Sequence, residues 1–98
     1  MAHWVLTYDL VSDFLERRPA FRDAHLAFAR EAVARGELLL GGAFDPPQQA
    51  MLVFQGETGA AAEAFANADP YVTEGCVARW TIRQWITVVG ESAATPIA

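Results

Sequence analysis

His25 and Asp69 together have the chemistry to move a proton near neutral pH in this 98-residue sequence. An imidazole changes charge closer to neutrality than any other unperturbed side chain. A carboxylate beside it fixes which ring nitrogen carries hydrogen and stabilises the protonated ring, which is a common general-base arrangement. Without a nucleophile the pair suits proton transfer or elimination better than acyl transfer. Four further residues are candidates for shaping a pocket around it. Tyr71 lies two positions after Asp69, Arg22 one position off the His25 face, and Gly41 and Gly42 form a pair. His25 and Asp69 are far apart in the chain, so only the fold can join them.

The pattern of apolar residues supplies that fold. Trp4, Leu6, Tyr8 and Leu10 alternate with His3, Val5, Thr7 and Asp9, the period of a strand. Ser12 to Arg18 reads as a polar connection. A helix is then expected from Pro19, tolerated in a first turn, to Arg35, with Phe21, Ala24, Phe28, Ala32 and Val33 at helical spacing and Gly36 as its stop. Leu38 to Gly42 reads as a second strand, Asp45 to Gln49 as a break, and Ala50 to Phe54 as a third strand. Thr58 is placed to cap a short helix over Ala60 to Asn67, which Asp69-Pro70 ends because the residue before proline is pushed out of helical geometry. The last strand is expected from Val77 to Val89.

Strand, helix, strand, strand, helix, strand is the ferredoxin-like order of an α+β domain. Right-handed crossovers put both helices on one face of a four-stranded antiparallel sheet. The start of helix one, the end of strand two and the end of helix two then share one rim, which brings His25, Gly41-Gly42 and Asp69 together. Val5, Val77, Trp85 and Val89 fall on the bare face, so a homodimer packed sheet against sheet is expected. Residues 1–89 form the domain, and 90–98 read as a flexible tail.

Composition excludes several classes of partner. The net charge is -5 and there is no lysine, so the chain lacks the basic surface that nucleic-acid binding needs. RNA-recognition domains share the element order, but strand three has no basic residue and strand one carries Asp9. The single cysteine, Cys76, reads as a small core residue and offers neither a disulfide nor a zinc spacing. With no signal peptide and no apolar run long enough for a bilayer, a cytoplasmic protein with no membrane partner is expected.

Three blocks carry a family resemblance: Arg22-Asp23-Ala24-His25-Leu26, the run from Gly36 to Gly42, and Ala68-Asp69-Pro70-Tyr71-Val72 with Gly75. They resemble the YCII-related (YciI-like) proteins over nearly the whole chain, to about Trp85. The resemblance implies a ferredoxin-like fold dimerising into a dimeric α/β barrel, with a proposed His-Asp active site that maps onto His25 and Asp69. The wider superfamily includes isomerases and oxygenases acting on small ring compounds. Asp23, Ala43 and Gln84 stand where the family commonly has proline, and the first two bear on pocket shape.

Each residue also has a plainer reading. On the residues alone, His25 is a partly buried histidine satisfied by a carbonyl or water, and the resemblance favours the site. Asp69 caps a turn that starts at Pro70 and ends at Gly75, which is compatible with pairing to His25. Tyr71 lines the pocket or packs the turn. Gly41 and Gly42 admit a ligand or form a bulge, the bulge being favoured. Arg22 binds an anionic group or is solvated, solvation being favoured. The expected function is an enzyme of lyase or isomerase type that needs no metal or cofactor, using a His25/Asp69 dyad on a small cyclic or carbonyl-containing metabolite. The alternative is a non-catalytic ligand-binding or regulatory module using the same pocket.

Overall fold

Alternation in the first strand becomes two distinct faces: Leu6 and Tyr8 are buried beneath helices, while Val5 and Thr7 on the other face are half-covered. The computed structural model describes residues 1–97. Its elements are β1 (Ala2–Leu10), α1 (Phe14–Ala34), β2 (Leu38–Ala43), β3 (Gln49–Gly56), α2 (Ala60–Ala68), α3 (Pro70–Thr73) and β4 (Val77–Trp85). The strands form one antiparallel sheet in the order β2-β3-β1-β4, the expected ferredoxin-like arrangement. The core lies between sheet and helices, where Leu6, Phe54, Phe65, Ala62 and Cys76 are buried. No helix among the described residues is long and apolar enough to cross a membrane.

Both expected glycine stops operate. Gly36 and Gly75 adopt φ of 78° and 82°, the left-handed region where glycine carries no Cβ penalty. The amides of Gly36 and Glu37 then bond back to the carbonyls of Val33 and Ala32, closing the end of α1.

Four local expectations are corrected. First, α1 begins at Phe14 rather than Pro19, so the supposed polar connection is helical. The Asp13 carbonyl accepts from the amides of Glu16 and Arg17, and the Asp13 carboxylate pairs with Arg17 at 2.8 Å. Pro19 thus sits in the second turn; the bond it cannot make is to the carbonyl of solvent-facing Leu15. Second, β4 stops at Trp85 rather than Val89, because its partner β1 runs out: Trp85 pairs with His3, near the start of that strand. Third, Val77 joins the core instead of the bare face. Asp9 pairs with Arg79 but Leu10 pairs with Val77, so Ala78 is an extra residue that reverses the side-chain alternation. Fourth, the irregularity in β2 falls between Leu38 and Leu40, not at the glycine pair.

Beyond β4 the chain turns at Gly90, and the amides of Thr95 and Ile97 donate to the carbonyls of Thr87 and Val88. Ala98, the last residue of the tail, lies outside the described residues. Leu39, Leu40, Trp85, Ile86 and Val89 remain exposed.

Candidate functional site

The Asp-Pro step determines where the carboxylate goes. Asp69 is extended (φ -62°, ψ 126°) because proline follows it, and so it ends α2 and caps α3. Its Oδ1 accepts the Tyr71 amide at 3.1 Å, while Pro70 fills the first helical position, where no amide is needed. The residue is fully buried. A buried carboxylate is costly unless donors surround it, and two more converge. The Tyr8 hydroxyl donates to Oδ2 at 2.7 Å, and His25 Nδ1 lies 2.7 Å from Oδ1.

This arrangement assigns the imidazole's hydrogen. Carboxylate oxygens only accept, so Nδ1–H donates and Nε2 keeps its lone pair. Among the described residues Nε2 has no hydrogen-bond partner in the protein. The ring is also held flat, stacked on Tyr71 at 3.8 Å between centroids and 7° between planes. Tyr71 in turn meets the edge of Phe14. Tyr71 therefore both packs the turn and shapes the site. Burial raises its phenol pKa, with Arg22 and Arg18 opposing that shift. Burial and the adjoining Asp69 hold the Tyr8 phenol far above its usual range, which keeps it a donor.

His25 opens onto a cavity of about 330 Å³ between α1 and the sheet. Leu38, Ala50 and Leu52 form its floor, Leu26 and Ala29 its helical wall, and Gly41 and Gly42 its rim. Gly41 has a steric reason to be glycine: a Cβ there would lie 3.2 Å from Leu52 Cγ, whereas one on Gly42 meets nothing within 4 Å. Arg22 is exposed yet lines the cavity. Among the described residues no three of His, Cys, Asp or Glu converge as metal ligands would. Cys76 is a buried core thiol, its pKa raised by desolvation.

All six candidate residues thus gather at one place, five on the cavity wall and Asp69 directly behind His25. Three others were not singled out from the sequence. Tyr8 was assigned only to the inward face of a strand, although a buried tyrosine hydroxyl demands a partner. Arg18 and Arg30 also line the cavity. Arg18 is hidden in the sequence because the residues before Pro19 read as a polar connection, whereas α1 begins at Phe14. Arg30 follows Arg22 by two helical turns and is detectable only once the pocket's face of the helix is known.

The family model for the YCII-related domain matches residues 1–86. No curated protein matches the sequence. Among solved structures, 5-chloro-2-hydroxyhydroquinone dehydrochlorinase from Burkholderia phenoliruptrix, in complex with 2,5-dihydroxybenzoquinone, is similar at TM-score 0.73 and 19% identity. That match covers 87% of this chain and 94% of the other. A NIPSNAP family protein from Agrobacterium tumefaciens matches at TM-score 0.60 and 13% identity, covering 95% of this chain and 96% of the other. At such identities the likeness establishes a shared fold.

Proposed function

The chain belongs to the YCII-related domain family, and from that premise we propose that it is a small-molecule enzyme performing general acid/base chemistry. His25 takes and returns a proton through Nε2. Asp69 orients the ring and offsets the charge it gains, and the cavity holds a small cyclic or carbonyl-containing metabolite. No metal or cofactor is needed for this chemistry. The observation that carries the reading is the 2.7 Å contact from His25 Nδ1 to a fully buried carboxylate, with Nε2 left for the cavity. A core histidine needs only a carbonyl or a water. Burying a carboxylate behind it costs stability, and such costs are characteristic of functional sites.

Proton abstraction, with or without loss of a leaving group, is the reaction type that fits. The base would remove a hydrogen next to a carbonyl or on an electron-poor ring. A neighbour in fold is named as a dehydrochlorinase of a chlorinated hydroxyhydroquinone, which is consistent with elimination. We further propose that the protein is a homodimer, the exposed apolar residues of the sheet face covering one another.

The test is incubation in D₂O with 5-chloro-2-hydroxyhydroquinone and a panel of cyclic ketones and lactones bearing exchangeable hydrogens, following chloride release and deuterium incorporation. Turnover of at least one compound is expected, falling by about 10²-fold or more in His25→Ala. Turnover that survives His25→Ala intact refutes the mechanism. Binding without any reaction refutes catalysis and leaves a ligand-binding module.

A further inference from the structure

Arginines on the cavity differ from most of those off it. All seven cationic side chains are arginine, in a chain of net charge -5. Arg17, Arg35 and Arg79 are paired with Asp13, Glu37 and Asp9 at 2.8–3.0 Å. Arg18, Arg22 and Arg30 line the cavity and make no ion pair among the described residues. No aspartate or glutamate lines it. Of the four arginines without an ion pair among the described residues, only Arg83 on β4 lies off the cavity, so most of the unpaired positive charge of an acidic protein stands at the mouth of the cavity that His25 opens onto.

The positions have a simple origin. Residues 18, 22 and 30 are separated by four and eight along α1, so they share a face with Leu26 and Ala29, which form the cavity wall. At 1.5 Å per residue, Arg18 and Arg22 are about one turn apart and both precede His25, while Arg30 lies about 8 Å beyond it. Arg18 is anchored, its guanidinium 5.7 Å above the Phe14 ring, which in turn packs against Tyr71. Guanidinium groups at the mouth of a largely apolar pocket recognise planar oxyanions through forked hydrogen bonds.

We propose that the molecule bound beside His25 is a small organic anion, a ring compound bearing a carboxylate that Arg18 and Arg22 grip at the cavity mouth. This rests on the cavity being the substrate site, as proposed above. The apolar floor takes the ring and the arginine pair takes the charge. The reacting carbon is thereby held at the imidazole rather than at the rim, and neutral compounds of the same shape are disfavoured. Arg30 adds to the attractive field without touching the group.

The experiment is an NMR titration of the ¹⁵N-labelled protein with 2,5-dihydroxybenzoate and with 2,5-dihydroxybenzamide, its neutral counterpart. Shifts should centre on His25, Gly41, Gly42 and Tyr71 for the carboxylate, which should bind about tenfold or more tightly than the amide. Arg18→Gln and Arg22→Gln should each remove most of that preference, Arg22→Lys should keep part of it, and added salt should weaken it. The spectrum of each variant reports whether it is folded. Equal affinity for acid and amide, absence of cavity shifts, or indifference to both glutamine substitutions overturns the proposal. His25→Ala separates the two readings: it should cut turnover by about 10²-fold or more while the carboxylate still binds more tightly than the amide. Binding that follows the arginines while no compound reacts sinks the catalytic reading alone.

Discussion

Tyr8 shows how much depends on a single hydroxyl. It donates to the Asp69 oxygen that His25 does not use, so the carboxylate is satisfied on both sides. In Tyr8→Phe the ring still fills its place but Oδ2 loses its donor in a dry environment. A loss of about 1–3 kcal/mol in denaturant unfolding is expected, with turnover reduced. The same residue predicts a pH dependence. Its phenol has an ordinary value of 10.0, which burial and Asp69 raise in the folded state. Above pH 10 the unfolded chain releases this proton while the folded chain retains it, so the unfolded state binds fewer protons and stability falls as pH rises. Its contribution is complete below pH 10 and declines above it. Tyr8→Phe should flatten that part of the stability curve; an identical alkaline limb in the variant would contradict the assignment. Asp69→Asn tests charge apart from capping. Asparagine caps a helix as well as aspartate does, and with its oxygen on the Tyr71 amide it still accepts from Nδ1–H, but it carries no charge to offset the protonated ring and turns its NH₂ toward the Tyr8 hydroxyl. Turnover should drop by about a hundredfold or more while the far-ultraviolet spectrum stays native.

The elements differ in what they tolerate. β2 ends in two adjacent glycines that look alike in sequence, yet only one is confined. Gly41→Ala forces a methyl against Leu52 on the cavity floor, and a destabilisation of about 1–3 kcal/mol with altered ligand affinity is expected. Gly42→Ala meets open space and should unfold at nearly the same denaturant concentration as the parent. Paired melting curves decide this, and equal losses in both would show that backbone freedom rather than crowding sets the requirement. The long α1 supplies His25 from its middle and the three cavity arginines from the same side. Its earlier start therefore adds Arg18 to the site. β4 illustrates the opposite limit, since a strand extends only as far as its partner.

For the whole molecule the open question is the uncovered face. Leu39, Leu40, Trp85, Ile86 and Val89 are exposed on one side of a small domain, and such patches mark interfaces. Light scattering behind size exclusion should return twice the chain mass, and Trp85→Asp should halve it. A monomer at all concentrations would show that the apolar face is covered by something other than a second copy. The cavity and its arginines lie on the helical side of the sheet, so ligand affinity should persist in a monomeric variant unless the second copy steadies the rim.

Element order, the sheet's inward face, both glycine stops and the union of His25 with Asp69 were legible in the sequence. Period, turn chemistry and handed crossovers are local rules with global consequences. Registers and surroundings were not legible. The extra residue at Ala78 that turns Val77 inward, the limit of β4, the hydroxyl of Tyr8 on Asp69 and the arginine row over the cavity all depend on residues distant in sequence. Only tertiary structure fixes these, because side-chain alternation reports which residues share a face of a strand or helix but not what stands opposite them.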